Sequence, residues 1–283
     1  MRRIVFALGV VSLAIFLWRR FRKTLGTVPI QGDIRLKDGV VLPCEIAPAP
    51  CHLLVAHGLG SDDPSKKTHA SDTATTIVKQ ALASLAGTRT AVFYTARGHG
   101  ASSGWEHLGV DQFQWAKLAE DMRTVADAVH GSDEPVVAIG NSMGAATALY
   151  FAMGHPTRCK ALILIRPPTA WETRTERSHV LVEKAGKLQD AQPGSHGHLV
   201  VHGASKCNLP PKNDRAYRAV RCPVLVLGHG RDAAHPLSTA TALADLLPQA
   251  TLITATDVED AMAEWPSVVA DFLRRKSSAV SGI

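Results

Sequence analysis

Three apolar runs in this sequence end alike: "HLLVAHGLG", "TAVFYTARGHG" and "EPVVAIGNSMG" each pass directly into glycine-rich sequence. Three more, "RCKALILIRP", "CPVLVLGHG" and "ATLITAT", follow in the second half. Runs this short and uniformly apolar suit strands buried on both faces. Segments with helical spacing separate them. Residues 71–86 form one. Residues 111–130 form another, with Phe113, Leu118, Met122, Val125 and Val129 on one stripe, and "AATALYFAMG" and "WPSVVADFLRR" supply two more. Strands alternating with helices dictate an α/β fold with a mostly parallel sheet covered on both faces. In such sheets ligands gather beyond the carboxyl ends of the strands, where the glycine exits lie. Upstream, "IQGDIRLKDGVVLPCEIAPAP" reads as two strands around a Lys-Asp-Gly turn.

The 56 residues from 167 to 222 are too many for a plain crossover. They hold a helical stretch, Ser178–Leu188, and a His/Gly/Pro-rich loop, and together read as a small cap over the sheet. The division is therefore an N-terminal segment 1–28, a core of 29–166 and 223–276, the cap 167–222 and a flexible tail 277–283.

Charge is unevenly placed. Lys and Arg total 31 against 25 Asp and Glu, but residues 1–32 hold six of the basic residues and no acid, so the rest is balanced. That excludes a compositional case for a nucleic-acid surface on the folded body. The basic residues flank the apolar run Ile4–Trp18 in "MRRIVFALGVVSLAIFLWRRFRK". The run falls short of the roughly 20 residues of a comfortable span, although flanking arginines can lengthen it by snorkelling. A single-pass anchor fits this arrangement best. A cleaved targeting peptide, a mitochondrial one in view of the arginines and the lack of acids, and a buried soluble helix are the alternatives. The expected location is at a membrane, held by that single-pass anchor, with the mitochondrial inner membrane as one candidate.

Five cysteines lie far apart with no C-x-x-C, so neither a disulfide framework nor a zinc site is signalled. His196, His198 and His202 cluster among glycines and read as part of the loop, without the carboxylate or cysteine spacing that completes a metal site. Neither metal nor cofactor is expected.

"GNSMG" matches G-x-S-x-G, a pattern that arises by chance in about one chain in ten of this length. Its position between an apolar strand and a helix makes it a nucleophile elbow, a strained turn lifting the Ser142 hydroxyl into the cleft. Gly140 and Gly144 permit close backbone packing there. The helix from Met143 aims free N–H groups at any developing oxyanion. "AHGLG" ends an earlier strand, where the Leu59 N–H can pair with that of Met143 as the oxyanion hole.

These pieces, with "ARGHGASSG" and "CPVLVLGHGRDAAHP", occur in the order and spacing of the α/β-hydrolase fold, and over residues 35–275 the sequence resembles an esterase or lipase of that family. The resemblance implies Ser142 as nucleophile, the Leu59 and Met143 N–H groups as oxyanion hole and Asp232 as the triad acid. It makes Arg97–Gly100 a structural loop and takes His99 out of the chemistry.

The family places its histidine after the last strand. Here "ITATDVEDAMAEWPSVV" contains none, and the last histidine in the chain is His235. A carboxylate with a pKa near 4 is a far weaker base toward a serine hydroxyl than an imidazole near 6.5. His235, three residues after Asp232 in "GRDAAHPL", is the best substitute, with Asp232 or Glu172 to orient it. His57 is read as structural. Two functions follow. One is a membrane-anchored serine esterase or acyl hydrolase using Ser142, Asp232 and His235 on a small acyl substrate. The other is a catalytically impaired pseudoenzyme serving as an accessory subunit among protein partners in a membrane assembly.

Overall fold

The computed structural model describes residues 4–6, 30–60, 73–191 and 196–278. Its strands among these residues are β1 (Ile4–Phe6), β2 (Ile30–Arg35), β3 (Val41–Ala49), β4 (Leu53–Ala56), β5 (Arg89–Tyr94), β6 (Val136–Asn141), β7 (Cys159–Ile165), β8 (Val224–His229) and β9 (Ala250–Ala255). They form one sheet in the order β1-β2-β3-β5-β4-β6-β7-β8-β9. β3 is antiparallel to both β2 and β5, and every other pairing is parallel. The helices are α1 (Thr73–Ala83), α2 (Trp115–His130), α3 (Met143–Gly154), α4 (Trp171–Ala191), α5 (Gly197–Ser205), α6 (Ala216–Ala219), α7 (Leu237–Leu246) and α8 (Val258–Ser278).

The central strands are apolar throughout because both faces are covered. Leu54 and Ala56 of β4 point into a core with Met122 of α2, Leu149 of α3 and Leu243 of α7. Leu53 and Val55 point the other way, against Ile77 of α1 and Trp265 of α8. Successive residues of a strand face opposite sides, so each central strand stitches two cores into three layers. The architecture is the α/β-hydrolase fold that the resemblance implies, and its mostly parallel sheet flanked by helices is what the strand and helix pattern predicts.

The helix limits differ from the sequence reading in physically clear ways. The stripe over 111–130 is split: Val110–Phe113 is a 3-10 turn, Gln114 is extended at ψ 150°, and α2 starts at Trp115. The closing helix begins at Val258 rather than at the "WP" pair. The Asp257 carboxylate accepts the Asp260 N–H at 3.1 Å and caps it. Ala261, Trp265 and Val269 then continue one fully buried stripe past Pro266. His198 and His202 are not in an irregular loop: α5 forms after His196 because Val200 and Val201 are buried against the body.

The apolar run Ile4–Trp18 lies mostly outside the described residues. Its first three, Ile4–Phe6, pair as a parallel edge strand with Gly32–Ile34 instead of starting a helix. No helix among the described residues is long and apolar enough to cross a membrane.

Between β7 and β8 the chain forms α4, α5 and α6 over the carboxyl end of the sheet. The loop at Arg97–Gly100 is pinned beneath them. The Arg97 guanidinium is wholly buried, donating to Asp121 at 2.5 and 2.7 Å and to Asp38 at 2.9 Å. Burial alone would raise the Asp38 carboxyl, but the charge and hydrogen bond of Arg97 hold it below its ordinary value.

Candidate active site

Ser142 is the residue between β6 and α3, with φ 53° and ψ −116°. A non-glycine residue held there costs on the order of 1–3 kcal/mol. Two close approaches hold it. A Cβ on Gly140 would lie 1.9 Å from the Gly144 carbonyl oxygen, and a Cβ on Gly144 would lie 2.2 Å from that of Ala56. Strand, turn and helix thus meet backbone to backbone, and only glycine fits at either position. The Ser142 N–H donates to Ile165 of β7 at 3.0 Å, tying the turn to the next strand.

The loop leaving β8 supplies the partners. Asp232 Oδ1 accepts the backbone N–H groups of Ala234 (3.0 Å) and His235 (3.2 Å), which folds the loop back on itself. Asp232 Oδ2 lies 2.7 Å from His235 Nδ1, and His235 Nε2 lies 2.7 Å from Ser142 Oγ. The proton positions follow from the partners: the carboxylate only accepts, so Nδ1 carries the imidazole proton and Nε2 accepts from the serine hydroxyl.

The electrostatics suit this tautomer. Burial pushes His235 below 6.5, partly countered by the hydrogen bond and charge of Asp232; Arg166 and His229 push it down further. The ring is therefore neutral, and able to take a proton, at neutral pH. For Asp232, burial acts upward, but the hydrogen bond and charge of His235 and the two backbone N–H groups outweigh it and hold the carboxyl below 3.8.

Other residues singled out in the sequence fall as follows. Leu59 and Met143 line the same cavity as Ser142 and His235, a space of about 160 Å³. Glu172 stands away from His235, exposed and 3.7 Å from Lys212. His57 bridges strand ends, its Nδ1 to Gly58 O at 2.6 Å and its Nε2 accepting the Ala96 N–H at 2.9 Å. His99 is buried with Nδ1 on the Arg97 carbonyl at 2.9 Å. The segment expected to hold a histidine instead caps α8 through Asp257. No group of three metal-ligating side chains suited to an ion occurs among the described residues.

Two residues escaped the sequence reading. His229, the last residue of β8, is buried with Nε2 3.7 Å from Asp232 Oδ2 and its ring 6.0 Å from Trp265. The "GHGRD" stretch places it one strand end from the acid, the only signal available. Arg166 follows β7 at φ 44° and donates to Asn141 Oδ1 at 3.1 Å, beside the elbow.

Comparison with known proteins agrees with the architecture. Residues 52–182 match the family model of the alpha/beta hydrolase fold. No curated protein sequence matches the chain. Among solved structures, an esterase from Thermogutta terrifontis is 17% identical with a TM-score of 0.63, the match covering 88% of this chain and 99% of that one. An esterase from Exiguobacterium antarcticum is 12% identical with a TM-score of 0.68, covering 87% and 100%. The enol-lactonase from Burkholderia xenovorans is 18% identical with a TM-score of 0.61, covering 86% and 99%. At such identities the likeness is one of fold.

Proposed function

Starting from a chain that has the alpha/beta hydrolase fold, we propose that it is a serine hydrolase cleaving an ester or related acyl bond, with Ser142, His235 and Asp232 as its triad. The observation that carries this reading is the unbroken chain of two 2.7 Å contacts from Asp232 through His235 to Ser142. The impaired-enzyme alternative rested on the missing histidine together with the N-terminal anchor, and the His235 contact weighs against the first of these grounds.

The chemistry follows from the geometry. His235 Nε2 takes the Ser142 proton as Oγ attacks the acyl carbon, and the carbonyl π pair moves onto oxygen. The Leu59 N–H, just past the end of β4, and the Met143 N–H, at the start of α3, receive that oxyanion. The oxyanion collapses, the bond to the leaving group breaks, and the leaving group takes the proton from Nε2. Water then attacks the acyl carbon as it gives a proton to Nε2; the second oxyanion collapses, the bond to Ser142 Oγ breaks, and Oγ takes the proton back from Nε2 as the acid leaves. Asp232 holds the ring in the Nδ1–H tautomer and stabilises the imidazolium formed in each half.

The test is labelling by a fluorophosphonate, which reports an activated serine. Wild-type protein is expected to label and Ser142→Ala to stay blank. Folded wild-type protein that never labels would sink the reading.

The basic, apolar N-terminal segment supports placing this hydrolase at a membrane. The pairing of Ile4–Phe6 at the sheet edge weighs against it. Full-length protein should sediment with membranes, and a chain lacking residues 1–28 should not. Full-length protein found only in the soluble fraction would refute the anchor.

A further inference from the structure

The cap contributes more than cover. Arg174 and Arg177 of α4 both line the cavity that holds Ser142 and His235. Leu181, one turn further on, lines it as well. Lys184 and Leu188 continue the same helical face into an adjoining cavity of about 220 Å³, and Leu59 is a wall shared by both. The acids of α4, such as Glu172 and Glu183, take no part in either lining, and no acidic side chain among the described residues does.

Arg174 is the telling residue. Its side chain is buried, with a relative exposure of 9%. Nε donates to the Cys207 carbonyl at 3.1 Å, one Nη donates to the Ala204 carbonyl, and the other lies 3.5 Å from Thr169 Oγ1. Trp115 covers the guanidinium at 4.9 Å. Every partner is neutral. Buried charges are ordinarily paired, because taking an unpaired ion out of water costs several kcal/mol. Burial accordingly lowers the Arg174 pKa. Contrast Arg97, wholly buried and gripped by two carboxylates. Arg177, exposed at the mouth, spends one N–H on the Ala233 carbonyl at 2.8 Å.

We propose that the substrate carries an oxyanion, a carboxylate or a phosphate, seated against Arg174 and Arg177, so that the site selects short anionic acyl compounds. This rests on the serine-hydrolase reading for the reaction and on the cationic cavity for the selection. A guanidinium fork matches either oxyanion, and the small cavity keeps the anion within a few bonds of the scissile carbonyl.

Two measurements test it. The first is the ratio of kcat/KM for the p-nitrophenyl hemiester of glutaric acid to that for neutral p-nitrophenyl pentanoate. Wild type should favour the anionic ester roughly tenfold or more, in line with a charge-assisted hydrogen bond. The ratio should approach one in Arg177→Gln and Arg174→Gln, and Arg177→Lys should keep part of it. Equal use of the two esters, or a preference that survives both Gln variants, overturns the proposal. Arg174 also ties down two cap carbonyls, so Arg177→Gln carries the test if Arg174→Gln does not fold. The second is calorimetric titration of Ser142→Ala with glutarate and, separately, with inorganic phosphate. Saturable binding lost in the added Arg177→Gln change supports the site, and the stronger anion identifies the group it takes. Binding of neither anion overturns it. A protein that binds glutarate but shows no Ser142-dependent labelling refutes the hydrolase reading and leaves the anion site standing.

Discussion

His235→Ala is expected to lower kcat/KM on the order of 10⁶-fold, close to the effect of Ser142→Ala, because the three side chains act as a unit. Asp232→Asn should cost on the order of 10⁴-fold by presenting the wrong tautomer to the serine. The pH profile supplies a second readout. The base must be neutral to act, and its pKa lies below 6.5. Activity should therefore be level through neutral pH and fall in acid as His235 gains a proton. Asp232 raises that pKa, so in Asp232→Asn the surviving activity should fall off at lower pH than in wild type. Ester turnover undiminished in His235→Ala would assign the base elsewhere.

Asp121→Ala is expected to be the most damaging single change away from the triad. It strips two hydrogen bonds from a guanidinium with no exposed surface, leaving Asp38 as its anion partner. Breaking a buried pair by removing one member costs about 3–5 kcal/mol. At roughly 2–4 °C per kcal/mol in a domain of this size, Tm should drop by about 6–20 °C. Removing both charges together, Arg97→Met with Asp121→Leu, should recover much of the loss, since two apolar side chains need no pairing. A Tm within about 2 °C of wild type in Asp121→Ala would show that Asp38 and solvent suffice for Arg97.

The sequence carries the fold in its strands. A run such as Leu53–Ala56 is apolar at every position because two cores claim alternate residues, and that signal needs no tertiary information. The elbow is local at Gly140, whose Cβ would strike Gly144 within the same strand–turn–helix unit, whereas Gly144 is demanded by Ala56 at the end of β4. Asp232 and His235 were readable for the same reason: their spacing is three residues and their loop leaves a strand recognisable by composition. What stayed hidden depends on distant partners. Nothing near Arg174 in the sequence says that Trp115 and the carbonyls of Ala204 and Cys207 close around it. Pro266 looks like a helix start because proline suits the first turn, and only the buried positions of Ala261 and Trp265 carry the helix back to Val258. Ile4–Phe6 look like part of a longer apolar run until β2 is beside them.

The Asp232–His235 pairing has one more consequence. Acid and base are tethered by two intervening residues, and the carboxylate that polarises the ring also fastens the backbone of that tether. Their mutual concentration is set by the chain itself rather than by docking of a second loop. In the proposed triad the β9–α8 connection therefore supplies no catalytic group. Its Asp257 starts α8, and its Thr256 backbone lies close against Gly230, two residues before Asp232, so its remaining duty is to support the loop that holds the pair.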